Sequence, residues 1–301
     1  MREIALALRS ELYRPEEIQE FTKLADSSSK ISHIFFPDIP GGQESIELCA
    51  SCLAITKRVR MGSGVIRLLE HESRVLTRRL ATIQWASGNR LVLGIGTGSP
   101  GANPSQTIEK MLALVEEIKK IFPSKFSDLD LAFPEVLVAS LKSGIAIKSI
   151  GRADGLILNF CSPRYAEELL SKVKSAGGQL KSVVYIKVFY SKSENVAARL
   201  LAEEFGKYDR LPQYHAMFER DGVADSVALM AAAPSNESIA VPDSLKRISI
   251  ANPSSQELFE ITEQFRKSGI NIPCVYPYFG PNESREFKAL VMKEITKEAF
   301  T

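Results

Sequence analysis

Glycines that directly follow short apolar runs form the first candidate site in this sequence. Gly94–Gly98 reads GIGTG, and glycines in such a loop let the backbone approach a ligand while free N–H groups hold an anion. The run is not the dinucleotide fingerprint G-x-G-x-x-G, because Ser99 stands at the third glycine position. A second run, Met61–Ile66 (MGSGVI), places Gly64 inside a strand, which marks either a close approach to a ligand or a packing position. We predict a functional GIGTG loop, with a merely flexible one as the alternative.

A third segment combines hydroxyls with a lysine where a helix is predicted to begin. Val138–Gly144 reads VASLKSG, and Ser140, Lys142 and Ser143 at a helix N-terminus suit a phosphate group. The alternative is a helix cap formed by Ser143 beside a solvated lysine. Taken alone, the segment slightly favours the capping role.

Three polar side chains follow the second and third predicted strands. Asp38 comes after Pro37, Arg67 comes directly after the third strand, and His71 lies in the same loop. In a barrel of parallel strands, these positions face the site at the carboxyl ends. We predict a carboxylate site at Asp38, an anion contact at Arg67 and a testable role for His71; for Asp38 and Arg67 the alternative is a purely structural one.

Composition excludes several classes of protein. The chain has 301 residues, 38 Lys and Arg against 36 Asp and Glu, and a net charge of +2, which argues against nucleic-acid binding. No apolar run approaches the ~18 residues of a membrane span, and the N-terminus does not resemble a signal peptide. Three histidines and one isolated pair, Cys49 and Cys52, do not make a metal site, so none is predicted. We predict a cytoplasmic protein with reduced thiols.

Short β-rich runs alternate with longer helical stretches along the whole chain. Eight strands with following helices in about 300 residues predict an α/β fold, a (β/α)8 TIM barrel, as one domain over 1–301. A doubly wound open sheet is the alternative. The gap after the seventh strand is too long for one unit, so 190–271 is predicted to be a mostly helical insertion, with 233–254 a surface loop. The strands are predicted at 3–8, 32–36, 59–66, 91–96, 135–139, 155–159, 182–189 and 272–276.

These motifs together resemble the bacterial luciferase-like superfamily of flavin and deazaflavin oxidoreductases. Ile55–Val65, Arg78–Ile83 and Ser87–Gly98 are similar to its T-x-R-I-x-L-G-x-G-V, A-x-x-x-A-T-x-D and S-G-G-R-x-x-L-G-I-G-x-G patterns. Gly151–Asn159 is similar to its G-x-x-A-D-G-x-x-x-N pattern. The usual Asp-His after the second strand is Asp38-Ile39 here, and this departure bears on the substrate rather than on the fold.

At Ala153–Asn159, Tyr208, Pro212–Tyr214 and Phe218–Glu219, the chain looks most like the branch that uses coenzyme F420, which includes the methylenetetrahydromethanopterin reductases. Its members carry a non-prolyl cis peptide bond in the third strand, and the matching bond here is Gly64–Val65. The resemblance implies Gly64 and Val65 behind the cofactor ring, Gly96 and Gly98 beside it, Ser140, Lys142 and Ser143 at its phosphate, and Asp38, Arg67 and His71 toward the substrate, with Asp38 and His71 as candidate catalytic residues.

Three functions follow from this resemblance. The first is hydride transfer between F420 and an organic substrate, such as a pterin, an alcohol or an enone, with the insertion over the mouth. The second is an FMN-dependent monooxygenase using reduced flavin and oxygen. The third is a non-catalytic relative that binds flavin weakly or not at all. The resemblance also implies a homodimer, joined through helices near the second and third strands, with no nucleic acid or membrane partner.

Overall fold

Parallel strands close into a barrel in the computed structural model, which describes residues 3–39, 41–98, 103–126, 130–234 and 238–297. Around the barrel the order is β1, β2, β3, β5, β6, β7, β8 and β10, and β10 pairs with both β8 and β1. Strand β4 follows β3 after a break and continues its position beside β5. The predicted (β/α)8 barrel is confirmed. The strands are β1 (Ile4–Ala7), β2 (Ile31–Phe36), β3 (Arg60–Ser63), β4 (Ile66–Arg67), β5 (Leu91–Gly96), β6 (Glu135–Ala139), β7 (Gly155–Asn159), β8 (Lys181–Tyr190), β9 (Ile250–Ala251) and β10 (Ile272–Phe279).

Helices of the described residues surround the strands and take their boundaries from local capping. Ser162 accepts a hydrogen bond from the Tyr165 N–H and precedes Pro163, so it begins α6 as the sequence predicts. Gly88, with φ of 65°, ends α3 in the left-handed conformation. The helices are α1 (Pro15–Ser27), α2 (Ser45–Leu53), α3 (Ser73–Ser87), α4 (Pro104–Phe126), α5 (Ser143–Lys148), α6 (Pro163–Ser175), α7 (Glu194–Asp209), α8 (Pro212–Arg220), α9 (Ala224–Ala231), α10 (Asp243–Lys246), α11 (Ser255–Lys267) and α12 (Arg285–Thr296).

Strands of this barrel are mostly apolar because helices cover one face and the barrel interior the other. Every residue of β5 (LVLGIG) and of β10 (IPCVYPYF) is buried. The amino-terminal end of the barrel is closed by charge instead: Arg60 and Lys181 both pair with Glu135, at the starts of β3, β8 and β6. This end is therefore filled with ion pairs, and the open space lies at the opposite end.

Two predicted segments differ from the structure. The strand predicted at 59–66 is interrupted at Gly64–Val65 and becomes β3 and β4, because the backbone there turns out of the ladder. The segment 233–254 is not a simple surface loop, since it contains α10 and β9, and β9 pairs with β8. Leu245 and Ile248 are buried, so apolar contact holds this segment on the barrel.

The segment between β8 and β10 contributes most of the extra helical structure. Helices α7, α8 and α9 contact one another, and α7 also lies on β8 and β9. Phe205 of α7 and Phe218 of α8 pack against Phe160, which follows β7, in tilted and edge-to-face contacts. These aromatic contacts fix α7 over the carboxyl end of the barrel.

Candidate active site

A cavity of about 320 Å³ opens at the carboxyl ends of the strands. Residues just after β1 and β2 line it, as do the break between β3 and β4, the ends of β6 and β7, and side chains of β8, β10, α7 and α8. This is the end of a (β/α)8 barrel at which active sites form. Its lining is Arg9, Pro37, Asp38, Ile39, Gly64, Val65, Ala139, Ile157, Asn159, Tyr185, Glu204, Lys207, Tyr208, Tyr214, Tyr276 and Tyr278.

The break between β3 and β4 supplies one wall of the cavity. The Gly64–Val65 peptide bond is cis, as the resemblance implies, and both residues face the cavity. Gly96 lies directly behind this wall, because a Cβ on it would come within 2.8 Å of Val65 Cγ2. Gly98 has φ of 65°, and a Cβ there would lie 2.9 Å from Arg67 Cδ. The four positions that the resemblance places around the cofactor ring therefore lie along one short stretch of backbone. They are Gly64, Val65, Gly96 and Gly98. Ser99 lies outside the described residues.

Asp38 and Arg67 form an ion pair at the edge of the same wall. Arg67 lies in β4, and one terminal guanidinium nitrogen, Nη2, is 3.4 Å from Asp38 Oδ2. Its Nε donates to Glu70 Oε1 at 2.8 Å. Of this pair, Asp38 lines the cavity. This ion pair holds the Asp38 carboxylate in place, and the carboxylate presents a polar group to a molecule bound in the cavity.

His71 does not line the cavity. It follows the short 3-10 turn Leu68–Glu70, and its neighbours are Glu44, Arg79 and Asp38. Burial lowers the pKa of its imidazole from the ordinary value, against the raising effect of Glu44. His71 is therefore predominantly neutral at physiological pH. His33, interpreted from the sequence as a packing residue, is buried and stacked on Phe35, and burial lowers its pKa to about 3.

The predicted phosphate segment lies beside the cavity rather than in its wall. Ala139 lines the cavity, but the hydroxyl of the buried Ser140 donates to the Lys142 carbonyl at 2.9 Å. Lys142 is exposed and is the residue before α5. Ser143 is the first helical residue, so the capping alternative considered from the sequence is wrong. An anionic group reaching this segment would meet the Lys142 ammonium and the start of α5.

A buried ion pair lies beneath the opposite wall, and sequence reasoning missed it. Lys187 is 1% exposed, pairs with Glu204 of α7, and holds its ammonium 3.9 Å from the centre of the Tyr208 ring. Tyr278 Oη donates to Glu204 Oε1 at 3.2 Å. Burial opposes ionisation of Glu204, but Lys187, Lys207 and the Tyr278 hydrogen bond together hold the pKa of that carboxyl below its ordinary value. The cavity therefore has an ionised carboxylate in this wall.

One sequence signal could have indicated half of this pair. Lys187 interrupts the otherwise almost uniformly apolar strand SVVYIKVFY, and a lysine in such a strand is buried only with a partner. Glu204 carries no comparable signal, because α7 is rich in ordinary surface charges. Of the wall tyrosines, Tyr208 and Tyr214 entered the sequence argument only through the F420 branch.

Three polar atoms of the cavity lining have no hydrogen-bond partner among the described residues. They are Arg9 Nε, which forms an ion pair with Glu11 Oε2 at 3.6 Å, Asn159 Oδ1 at the end of β7 and Tyr185 Oη in β8. Burial raises the pKa of Tyr185 well above its ordinary value, so its hydroxyl stays protonated and can donate. The lining combines backbone, an aromatic wall and unused hydrogen-bonding atoms. Such a lining fits a planar heteroaromatic ring with polar atoms at its edge, the chemistry of flavin and deazaflavin rings.

The chain matches the sequence model of the luciferase-like monooxygenases over residues 5–248. This chain belongs to the luciferase-like monooxygenase family. Family membership accounts for the barrel and for the motifs around Gly64 and Gly96 together. No curated protein matches the chain by sequence.

Solved structures of this superfamily share the fold at low sequence identity. The coenzyme F420-dependent tetrahydromethanopterin reductase of Methanopyrus kandleri is 14% identical with a TM-score of 0.68, over 98% of this chain and 97% of that one. An F420-dependent secondary alcohol dehydrogenase, solved with an F420-acetone adduct, is 16% identical with a TM-score of 0.70 over 98% of both chains. The oxygenating constituent of 3,6-diketocamphane monooxygenase from Pseudomonas putida, solved with FMN, is 15% identical with a TM-score of 0.63, over 99% and 97%.

Neither a membrane-spanning helix nor a cluster of metal ligands occurs among the described residues. No helix among them combines the length and hydropathy that crossing a bilayer requires. In the same residues, no three His, Cys, Asp or Glu side chains group to hold a metal ion. Cys49 and Cys52 are buried free thiols within α2.

Proposed function

We propose that the protein is an oxidoreductase that transfers a hydride between coenzyme F420 and an organic substrate of the pterin, alcohol or enone type. The observation that carries this proposal is the cavity at the carboxyl end of the barrel. The cis Gly64–Val65 backbone forms one of its walls, and tyrosines form the other, where Tyr185 Oη and Asn159 Oδ1 have no hydrogen-bond partner among the described residues. The F420 dependence of two structural neighbours supports the choice of cofactor.

The cofactor itself would supply the hydride-carrying centre, and the chain would supply binding and orientation. Gly64 and Val65 would support one face of the ring, with Gly96 and Gly98 keeping the loop behind them compact. Ser140, Lys142 and Ser143 would bind the phosphate, because they follow β6 at the same end of the barrel.

Substrate contacts in this proposal come from both edges of the mouth. Asp38, held by Arg67, would accept a hydrogen bond from a substrate hydroxyl or N–H group. His71 lies behind this pair and would act through Asp38, as a positioning residue rather than in contact with substrate. Tyr208 and Tyr214, on helices above the barrel, would restrict the access of water to the reacting groups.

An FMN-dependent monooxygenase is the second candidate. The neighbour solved with FMN favours it, because that structure aligns with 99% of this chain. The lining suits either ring, and the two functions differ in oxygen use, because reduced flavin reacts with oxygen whereas a reduced deazaflavin serves as a hydride donor.

Titration of the purified protein with F420 and with FMN, each oxidised and reduced, tests the proposal through fluorescence quenching and thermal shift. Saturable binding of F420 alone supports the hydride transferase and directs a substrate screen to pterins, alcohols and enones. Preference for FMN with oxygen consumption supports the monooxygenase. Binding of neither cofactor refutes both enzymes and leaves the non-catalytic relative.

We also propose that the protein is a homodimer joined through α2 and α3. Trp85 is 66% exposed and Val75 is 56% exposed on α3, and large exposed apolar side chains on one helix suit an interface. The molar mass from light scattering tests this, with Trp85→Glu expected to give monomers. A monomeric wild-type protein at micromolar concentration contradicts it.

A further inference from the structure

Two of the three atoms in the cavity lining without a hydrogen-bond partner belong to residues on neighbouring strands. Asn159 and Tyr185 are register partners in the β7–β8 pair. The Tyr185 hydroxyl lies over Gly64, since a Cβ on Gly64 would collide with it. Tyr185 is 4% exposed, so water from bulk solvent does not serve its hydroxyl. A buried donor beside Gly64 and a buried acceptor on the neighbouring strand thus belong to residues that line the same cavity, and neither atom has a hydrogen-bond partner among the described residues.

A neighbouring hydroxyl fixes the direction of this pattern. Asn159 Nδ2 donates to Tyr214 Oη at 2.7 Å, which orients the amide and leaves Oδ1 as the free acceptor. Because the Tyr214 oxygen receives this bond, its own proton remains available to donate. Burial raises the pKa of Tyr214 well above its ordinary value, so this proton is retained at working pH. Tyr185 therefore offers a hydrogen-bond donor, Asn159 an acceptor and Tyr214 a second donor.

We propose that these three side chains bind the imide edge, C(=O)–NH–C(=O), of the cofactor ring. Asn159 Oδ1 would accept from the imide N–H, and the hydroxyls of Tyr185 and Tyr214 would donate to the two flanking carbonyls. This inference rests on the proposed function, since the flavin and deazaflavin rings both carry this edge. It assigns Asn159, Tyr185 and Tyr214 as positioning residues that set the angle of the ring against Gly64 and Val65.

An unsatisfied buried donor destabilises a protein, so these atoms should show opposite effects on stability and on binding. Tyr185→Phe removes the hydroxyl and keeps the ring. We expect it to raise the thermal midpoint of the cofactor-free protein by about 2–4 °C. We expect the same variant to weaken binding of the cofactor by about 2–10-fold, the usual net value of one neutral hydrogen bond. Tyr13→Phe is the matched control, because the Tyr13 hydroxyl is bonded to the Pro277 carbonyl outside the cavity.

Methylation of the imide nitrogen tests the acceptor directly. Fluorescence titration would compare oxidised FMN with 3-methyl-FMN, and F420 with its imide N-methyl derivative. The wild-type protein should prefer the unmethylated form about tenfold or more, the equivalent of one lost hydrogen bond plus the crowding of the methyl group. Asn159→Ala should lose this preference, while Tyr13→Phe should keep it.

The outcomes separate this inference from the function on which it rests. A wild-type protein that binds one cofactor but shows no preference against N-methylation overturns the imide contact and leaves the proposed function standing. Unchanged affinity in Tyr185→Phe overturns the role of that hydroxyl, as it would if only water occupied the site. A wild-type protein that binds neither cofactor refutes the proposed function and this inference together.

Discussion

The two walls of the cavity are built in opposite ways. Gly64, Val65, Gly96 and Arg67 lie on adjacent strands within about thirty residues of chain, and short sequence motifs carry them. The facing wall combines Lys187 of β8, Glu204 of α7 and Tyr278 of β10, brought together by the closed barrel. The first wall is backbone and glycine, whereas the second is aromatic and charged.

Under the proposed function, this contrast would separate the residues that bind the cofactor from those that adapt to a particular substrate. A wall made of backbone keeps the same surface when neighbouring side chains change. One short sequence motif is therefore enough to specify it. A wall of tyrosines around a buried ion pair depends on side-chain identity and on helices outside the barrel. We therefore expect changes in the second wall to act on folding and substrate together, and changes in the first to act on the cofactor.

The largest effect is expected from breaking the buried ion pair. Lys187→Met leaves Glu204 charged and buried, and should lower the free energy of unfolding by about 3–5 kcal/mol. Urea denaturation followed by circular dichroism measures this. The double variant Lys187→Met/Glu204→Gln removes both charges and should recover most of the loss. If the single variant is as stable as wild type, the second wall is not held by this pair.

A smaller loss is expected in the first wall from Gly64→Ala. Its Cβ would meet Tyr185 Oη and lie 3.1 Å from Tyr185 Cζ, and such overpacking costs about 1–3 kcal/mol. Tyr185→Phe should relieve part of this cost in the double variant, since it removes the colliding oxygen. Gly144→Ala is the control, because no atom lies within 4 Å of its added Cβ. Equal stability of Gly64→Ala and wild type would show that the two walls do not touch here.

Acidification should weaken the second wall through Glu204. The pKa of Glu204 is lowered in the folded protein, so its stabilising contribution is complete above the unfolded value of about 4.5 and is lost as pH falls through the folded value. Wild type should therefore lose more stability between pH 5 and pH 3 than Lys187→Met/Glu204→Gln. Urea midpoints of both proteins at pH 5 and pH 3 measure this difference. An equal loss of stability in the two proteins would contradict the stabilising role of ionised Glu204.

The smallest effect is expected beside the first wall. Lys142→Ala should weaken binding of FMN several-fold and leave riboflavin, which lacks the phosphate, unaffected. Lys148→Ala, at the other end of α5, is the control, because Lys148 already pairs with Glu109. Unchanged FMN affinity in Lys142→Ala would remove this residue from the phosphate site.

Much of the fold was predictable because each strand and helix carries its own local pattern. The strands of the barrel come close to their predicted bounds, and Ser162-Pro163 begins α6 as expected. The failures have local causes too. A strand of two residues such as β9 is too short for a pattern, and the break at Gly64–Val65 looks like a continuous strand in sequence.

The sequence by itself determined the barrel, the family and the backbone wall around Gly64 and Gly96. These features depend on periodic burial and on glycines at fixed spacing, which are visible within a few tens of residues. Only the tertiary structure decided the other wall, the unpartnered atoms of Asn159 and Tyr185, and the withdrawal of His71 from the cavity. The reason is physical: burial, ion pairing and hydrogen-bond satisfaction belong to the surroundings of a side chain, and closing the barrel creates those surroundings from residues far apart in the chain.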